Sequence, residues 1–200
     1  MVLRRFEKGA LVFSRTETPA GVYLLTKGTA YFSLDSETGK RILLHIIKPG
    51  QLFGETVAFD GLPAPTSVEA RSSMETLFLA TPKLEMLRSR YPEIGAALAG
   101  VASSNLRRVL TILDELLLAP LSARAERRLR FLAMEAEASQ QRQGYSEAHG
   151  IVLDIRQSEF AAMLGVSRQA TNAVLQDLER QGVLTCLFGK ILYRDLARIA

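Results

Sequence analysis

Residues 157–182 decide the fold of the carboxyl-terminal part of the chain and read QSEFAAMLGVSRQATNAVLQDLERQG. Ala161 is small at the point where two helices would cross, and Gly165 follows four residues later, where a turn between helices needs a left-handed backbone. Ser167 is a good N-cap for the second helix, which we expect to end at Gly182. The spacing predicts a helix-turn-helix unit.

The second helix of this unit presents a polar face close to its amino terminus. The apolar residues that we place at inward positions are Phe160, Leu164, Val166 and Val174. Arginine can bond guanine bidentately in the major groove, and glutamine or asparagine can do the same to adenine. We therefore predict that DNA contacts the outward side chains and the cap, namely Ser167, Arg168, Gln169, Asn172, Ala173 and Gln176.

A two-stranded wing is predicted directly after this unit. Residues 183–187 and 191–193 are apolar and flank the turn Phe188–Gly189–Lys190. The combination favours a winged helix-turn-helix that binds double-stranded DNA. Helical pairs of this kind also occur in bundles that bind no DNA, so a ligand-binding or protein-interaction module with a purely structural helix-turn-helix remains the alternative.

The first 80 residues have the pattern of an all-β sandwich or roll. Short apolar runs at 11–13, 22–25, 30–34, 42–47, 68–70 and 76–80 are separated by glycine and proline turn signals. Six or more strands fit this pattern. Hairpin turns are expected at Lys27–Gly28 and at Thr38–Gly39.

A long helix is predicted to follow Tyr91–Pro92–Glu93, because proline costs no hydrogen bond in a first helical turn and an acid there suits the helix dipole. Leu106, Leu110, Leu113 and Leu117 then repeat with the spacing of a coiled-coil seam. We expect this seam to join two copies of the chain. Packing of the helix on its own domain is the alternative.

Pro120 is expected to end the long helix and to form a hinge. A second amphipathic helix is predicted at 122–138, with Leu129, Leu132 and Ala133 on its inner face. Residues 139–149 are polar and predict a loop or hairpin tip, and residues 151–155 predict a short strand.

Composition excludes several classes of protein. The 200 residues are 48% hydrophobic, which supplies a core for one or two domains, and the net charge of +4 permits DNA as a partner without demanding it. The longest stretch without a charged residue covers 94–106, too short to cross a bilayer, and no secretory signal is readable, so we expect a cytoplasmic protein without a membrane partner.

The residue inventory argues against an enzyme or a metalloprotein. Cys186 is the single cysteine, and only His45 and His149 accompany it, so a disulfide or a conventional metal centre is not expected. Neither a glycine-rich phosphate loop nor a nucleophile elbow occurs. We expect Cys186 to be a small buried hydrophobic residue and His45 to be a packed histidine.

The order of β-roll, long helix and winged helix-turn-helix resembles the Crp/Fnr family of bacterial transcription regulators. The resemblance is most specific at residues 49–55, PGQLFGE, and at residues 164–169, LGVSRQ. It implies an α+β fold with a cyclic-nucleotide-binding-type roll at 1–90, a dimerisation helix at 91–119 and a winged helix-turn-helix at 120–200. It also implies a homodimer on a palindromic operator with half-sites about 34 Å apart, and RNA polymerase as a further partner.

The same resemblance implies a ligand pocket formed by Phe53, Gly54, Glu55, Thr66, Val109 and Leu110. Members that bind cyclic nucleotides use the glutamate for the ribose and an Arg-Ser/Thr-Ala segment for the phosphate. Here that segment reads Ala64–Pro65–Thr66, and residues 49–70 contain neither lysine nor arginine. Cyclic AMP is therefore not the expected effector, no cofactor is assigned, and Glu55 capping local backbone N–H groups is the structural alternative.

Well-known members of the family carry glutamate and arginine where this chain has Gln169 and Ala173, so their operators do not transfer. Either a small ligand in the roll shifts the balance of domain orientations, or the dimer binds DNA without a ligand.

Overall fold

The computed structural model describes residues 1–36, 39–141 and 150–194, with the side chains of 138–141 left out. The chain divides into two compact units, Met1–Leu113 and Asp114–Ala200. The division falls inside the long helix, a few residues before the expected hinge at Pro120.

The first unit contains eight strands among its described residues. All six apolar runs of the sequence form strands, and two more strands, β1 and β6, are added. The bounds are β1 Val2–Phe6, β2 Leu11–Phe13, β3 Gly21–Lys27, β4 Ala30–Asp35, β5 Arg41–Ile47, β6 Leu52–Phe53, β7 Ser67–Ala70 and β8 Met74–Ala80. The side chains of β1 are mostly exposed and β6 has only two residues, so neither has an alternating apolar pattern.

These strands form two four-stranded antiparallel sheets, with the orders β1-β8-β3-β6 and β2-β7-β4-β5. Strands β4 and β5 form the expected hairpin, and the predicted turn residue Thr38 lies outside the described residues. The hairpin predicted at Lys27–Gly28 is wrong, because β3 and β4 belong to different sheets. Gly28 instead turns the chain from one sheet to the other.

Aromatic side chains fill the space within the roll. Tyr23 stacks on Phe53 with ring centroids 5.2 Å apart and lies 4.9 Å from Phe78. Phe13 completes this group at 6.2 Å from both Tyr23 and Phe53. Aromatic pairs at these distances stabilise a core beyond the area that they bury.

Three helices accompany the roll: α1 Glu55–Asp60, α2 Thr81–Arg90 and α3 Pro92–Leu118. The long helix α3 begins at the predicted proline and ends before Pro120, as expected. Helices α1 and α2 were not predicted. Helix α1 has only six residues, and α2 has almost no segregation of apolar from polar residues, so neither produces a recognisable pattern.

The second unit has the order α4 Leu121–Gln141, β9 Ile151–Leu153, α5 Gln157–Leu164, α6 Arg168–Arg180, β10 Leu184–Leu187 and β11 Lys190–Tyr193. Helix α4 continues past the predicted end at 138, and the remainder of the predicted loop, 142–149, lies outside the described residues. Leu129 and Ala133 are fully buried, and Leu132 is half-buried. Strands β9, β10 and β11 form one sheet in the order β10-β11-β9. The α+β fold class is confirmed.

In the described part of the chain, no helix combines the length and the apolar character that a membrane span requires.

The corner at Gly28 generates a stability prediction. Gly28 and Gly39 both have left-handed backbones, with φ of 79° and 78°. A Cβ at Gly28 would collide with the Ser73 carbonyl oxygen, whereas a Cβ at Gly39 meets no atom within 4 Å. We expect Gly39→Ala to cost about 1–2 kcal/mol from backbone strain alone. Overpacking adds to that strain in Gly28→Ala, for a total of roughly 2–5 kcal/mol.

Urea unfolding of both variants, followed by far-UV circular dichroism, measures the difference. Equal free energies of unfolding would show that the roll corner accommodates a methyl group and that the close approach is unimportant.

Candidate nucleic-acid interface and roll cavity

The turn between α5 and α6 has the predicted backbone. Gly165 is left-handed, with φ of 69°, and its N–H donates to the Ala161 carbonyl oxygen. Val166 N–H donates to the same carbonyl at 3.3 Å. A left-handed residue at this point satisfies the last carbonyl groups of α5 and redirects the chain into α6.

Both helices of the unit are capped. Ser167 Oγ accepts a hydrogen bond from Ala170 N–H at 3.2 Å, which confirms the predicted N-cap of α6. Thr171 Oγ1 donates to the Ser167 carbonyl at 3.0 Å. At α5, Glu159 Oε2 accepts from Arg156 N–H at 2.7 Å. Glu159, three residues after Arg156, is a capping signal in the sequence that was not among the predicted features.

The inward face of α6 differs from the prediction by one position. Phe160 and Leu164 of α5 are buried as expected, but Val166 and Val174 are only half-buried. The buried face of α6 consists of Thr171, Leu175 and Leu178. This spacing of four and three residues is one stripe of a helix, and Val174 lies at its edge.

The five outward side chains predicted for α6 are all exposed: Arg168, Gln169, Asn172, Ala173 and Gln176. Residues 168–176 contain one arginine and no acid, and the first acidic residue of the helix is Asp177. Within the described ranges, Arg168 forms no ion pair, whereas Arg180 pairs with Asp177 at 3.2 Å. Positive charge and unpaired donors therefore concentrate at the amino-terminal half of the helix.

The predicted wing is an antiparallel hairpin of β10 and β11, in which Leu187 pairs with Lys190. Phe188 at its tip is completely exposed, and Lys190 is exposed beside it. Cys186 N–H donates to Glu179 Oε1 at 2.8 Å and so joins the wing to α6. Neither Phe188 nor Lys190 was included in the predicted DNA-binding set.

Cys186 is half-buried rather than buried, because it lies in β10, an edge strand of the three-stranded sheet. Burial and the Glu179 carboxylate raise the pKa of the thiol above its usual value, against the opposing effect of a hydrogen bond with Gln157. The thiol form is therefore favoured at neutral pH, and the residue is not an activated nucleophile.

A cavity of about 270 Å³ opens within the first unit, between the roll and helix α3. The roll contributes apolar side chains, including Phe32, Ile47 and Phe53, together with His45 and Gln51. His45 is buried and its Nε2 lies 3.0 Å from Gln51 Oε1, so it is a packed histidine as expected. Helix α3 contributes Val101, Ser104, Asn105 and Arg108.

Glu55 is 4% exposed and accepts a hydrogen bond from Asn105 Nδ2 at 2.8 Å. We expected local backbone N–H groups as its partners, but the bond that the structure provides comes from α3, fifty residues away along the chain. Asn105 Oδ1 in turn lies 3.4 Å from Nη1 of Arg108. A guanidinium group thus lines the cavity although residues 49–70 contain none.

Of the six residues predicted for the ligand pocket, only Phe53 lines this cavity. Thr66 is buried outside the lining, Glu55 begins α1 with Gly54 as its N-cap, and Leu110 is 54% exposed. The lining residues Val101, Ser104, Asn105 and Arg108 repeat at three, one and three residues and share one helix face. Val109 is half-buried at the edge of that face, about 40° from Asn105, and Leu110 lies about 200° from Arg108 and turns away from it.

The leucines of the predicted seam are exposed in the single chain. Their exposed fractions are 60% for Leu106, 54% for Leu110, 47% for Leu113 and 71% for Leu117. A row of large apolar side chains of this size facing water is characteristic of a protein interface.

Comparison with known proteins agrees with this architecture. A cyclic nucleotide-binding domain model matches residues 3–91, and a Crp-like helix-turn-helix domain model matches residues 126–200. A β-roll of the first type followed by a helix-turn-helix of the second type defines a class of transcription regulators. The chain belongs to the Crp/Fnr family, and its second unit is the family's helix-turn-helix DNA-binding domain.

Relatives and solved structures cover nearly the whole chain. A CRP-like cAMP-activated global transcriptional regulator of Mycobacterium tuberculosis is 27% identical over 98% of this chain and 85% of the relative. The transcriptional regulator LdrP of Thermus thermophilus is 26% identical over 98% of this chain and 94% of its own length. The c-di-GMP responsive global regulator CLP of Xanthomonas campestris has the same fold, with a TM-score of 0.82 at 22% identity over 96% and 93% of the two chains.

The raised pKa of Cys186 predicts slow chemical modification. Because thiolate is the reactive form, iodoacetamide at pH 7.5 should alkylate Cys186 several times more slowly than it alkylates free cysteine. Glu179→Gln removes one cause of the raised pKa, so the rate should rise. Mass spectrometry of the intact protein over time measures both rates. A rate equal to or above that of free cysteine would contradict the raised pKa.

Proposed function

We propose that the protein is a sequence-specific DNA-binding transcription regulator that acts as a homodimer on a palindromic operator. The observation that carries this proposal is the amino-terminal half of α6. Its outward side chains are exposed and polar, and its one cation, Arg168, forms no ion pair among the described residues. A recognition helix enters the major groove with its amino-terminal residues toward the bases.

The side chains of this face have distinct proposed roles. Arg168 reads a guanine and Gln169 an adjacent adenine, while Asn172 and Gln176 extend the contact along the groove and Ala173 leaves room for a base. Ser167 Oγ accepts its cap hydrogen bond, and its hydroxyl proton remains able to donate to a phosphate.

The dimer is proposed to form along the exposed leucine seam of α3. Two such helices would remove Leu106, Leu110, Leu113 and Leu117 from water. Parallel association of two copies would place two recognition helices on successive major-groove faces about 34 Å apart. The two-fold symmetry of the operator follows from the symmetry of the dimer.

Control by cyclic AMP is not part of the proposal. The segment Ala64–Pro65–Thr66 lacks the guanidinium that members binding cyclic nucleotides offer to the phosphate. Related proteins are described as responding to different ligands, cAMP for the regulator of M. tuberculosis and c-di-GMP for CLP. Membership of the family therefore does not specify which effector this protein binds. A DNA-binding regulator would act in the cytoplasm, with RNA polymerase as the further partner.

The experiment that tests this function is selection of random duplex DNA by the ligand-free protein at about physiological salt, followed by sequencing. A two-fold symmetric motif is expected. An unenriched pool would favour an effector requirement or the alternative of an interaction module. Salt separates these outcomes, because binding through several phosphate contacts weakens log-linearly with salt concentration.

Arg168→Ala is expected to cost about 1–3 kcal/mol of binding free energy and to relax the preference at one base pair. Gel-shift titrations with the selected operator and with single-base variants measure both effects. Arg180→Ala is a suitable control, because Arg180 lies at the other end of α6 and pairs with Asp177. An equal loss on every sequence would identify Arg168 as a phosphate contact instead.

Leu110→Lys is expected to weaken self-association by about tenfold or more, because it places a charge in the middle of an apolar seam. Leu62→Lys is the matched control, since Leu62 is an exposed leucine of the roll outside α3. Sedimentation equilibrium of the two variants and the parent protein measures the dimer dissociation constant. An unchanged constant in Leu110→Lys would place the dimer interface elsewhere.

A further inference from the structure

Helix α4 of the second unit has one exposed face that carries both cations and large apolar side chains. At 100° per residue, Arg127, Arg130, Phe131 and Met134 lie within an arc of about 100°. The two arginines are exposed, and Phe131 and Met134 are 39% and 50% exposed. The opposite side of the helix, which includes Leu129, is buried. We call the four exposed residues the α4 face.

The composition of the α4 face is that of a protein interface. Arginine, methionine and aromatic residues are the types enriched at the core of such interfaces. In the part of the chain that the structure describes, neither Arg127 nor Arg130 forms an ion pair, whereas Arg128 on the packed side pairs with Glu115 at 3.5 Å. The two exposed guanidinium groups therefore have all their donors available to a partner.

The acids of α4 do not neutralise these arginines. Glu126, Glu135 and Glu137 lie along the edges of the α4 face and are half-buried. Each of them already has an interaction of its own within the chain. The α4 face is therefore positively charged, and carboxylates on a partner would complement it.

A pocket of about 230 Å³ adjoins the α4 face, between the helix and the base of the wing. Helix α4 and the small sheet both contribute to its lining, which consists of Ala123, Glu126, Arg127, Arg130, Val183 and Tyr193. This volume equals that of roughly eight water molecules in the liquid, which is enough for one or two side chains. An apolar side chain of a partner can enter the pocket while its neighbouring carboxylates stay beside the arginines.

The pocket lies near the end of α6 that is not proposed to contact DNA. Val183 follows the carboxyl end of α6 at Arg180 by three residues, whereas Arg168 begins the helix. A helix of 13 residues is about 20 Å long, so the two ends are well separated. Exposed Phe131 and Met134 also fit a protein partner better than the polar, charged surface of DNA.

A second copy of the chain is a poor occupant of the same face. In a two-fold contact the same patch of both copies meets itself, so Arg127 and Arg130 would face their own like charges. Like charges placed opposite each other oppose association. The charge of the face thus favours a different, acidic protein.

We propose that the α4 face docks an acidic segment of a partner protein, which presents two carboxylates around a large apolar side chain. The carboxylates pair with Arg127 and Arg130, and the apolar side chain enters the pocket or covers Phe131 and Met134. Exposed ion pairs contribute little affinity, so apolar burial supplies most of the affinity and charge supplies the selectivity. The proposal rests on the proposed function only for the assignment of DNA to the amino-terminal end of α6.

Selection from a peptide library tests the chemistry of the partner. Random peptides of about 12 residues, displayed on phage, are depleted on the double variant Arg127→Glu/Arg130→Glu and then selected on the full-length parent protein. Sequences that combine two or more acids with leucine, isoleucine or phenylalanine are expected. The most enriched peptide is then synthesised with a fluorescent label, and its affinity is measured by fluorescence anisotropy.

Charge reversal locates the contact. The variant Arg127→Glu/Arg130→Glu should bind the acidic peptide about tenfold more weakly or worse, because like charges then meet. It should also bind the peptide in which lysine replaces every acid more tightly than the parent protein does, a gain that loss of structure cannot produce. Met134→Ser should weaken the acidic peptide several-fold through lost apolar contact.

The matched control is Lys83→Glu/Arg90→Glu, which reverses two exposed cations of helix α2 and should leave the affinity for the acidic peptide unchanged. Circular dichroism shows whether each variant remains folded. The proposal is overturned if no peptide is enriched or if the enriched peptides lack acids. It is also overturned if the folded α4 variant keeps its affinity, or if the control loses affinity equally.

Two further measurements identify the other occupants. A loss of affinity for random duplex DNA in the α4 variant, beyond that of the control with the same net charge, would make the face a DNA contact. A weakened dimer in sedimentation equilibrium would make it an interface between copies. Either result overturns the proposal. The peptide assays contain no DNA, so failure of operator selection leaves their outcome unaffected.

Discussion

The hydrogen bond from Asn105 to the buried carboxylate of Glu55 is the constraint on which the first unit depends. An ionisable group at 4% exposure needs a partner, and here the partner comes from helix α3. The bond fixes the rotation of α3 about its own axis against the roll. Once Asn105 faces inward, Val101, Ser104 and Arg108 must line the cavity, because they lie on the same face of the helix.

The same rotation leaves the leucine seam on the opposite face. Leu106 and Leu113 lie about 100° and 80° around the helix from Asn105, on the side away from Ser104 and Arg108, and both remain exposed when Asn105 contacts Glu55. One helix thus carries a surface that lines the roll cavity and an apolar surface that faces water. Helical geometry alone separates the two surfaces, so Arg108 and the leucine seam belong to the same helix.

In the second unit, too, the buried face of one helix determines which of its side chains are exposed. Burial of Thr171, Leu175 and Leu178 turns the polar side chains of α6 outward, and the Ser167 cap holds its first turn in place. The first acidic residue of the helix is Asp177. The amino-terminal half of α6, whose polar side chains are exposed, is therefore also its positively charged half. Local capping and one apolar stripe are sufficient to build this surface.

The helix-turn-helix, the wing and most strands of the roll were predictable from the sequence, because their signals lie within a few consecutive residues. Gly165, Ser167 and the apolar stripe act over one or two helical turns, and each strand of the roll has its own apolar run. The predicted outward face of α6 followed from this local pattern, and the errors lay in Val166 and Val174, which are half-buried rather than fully inward.

What the tertiary structure alone decided depends on contacts between distant residues. The sheet to which β3 and β4 each belong, the partner of Glu55 and the arginine of the cavity are set by packing between segments far apart in the chain. The sequence showed that 49–70 lacks a cation, but it could not show that α3 would bring Arg108 to the same place. Periodicity specifies which residues share a face, and only packing specifies what that face meets.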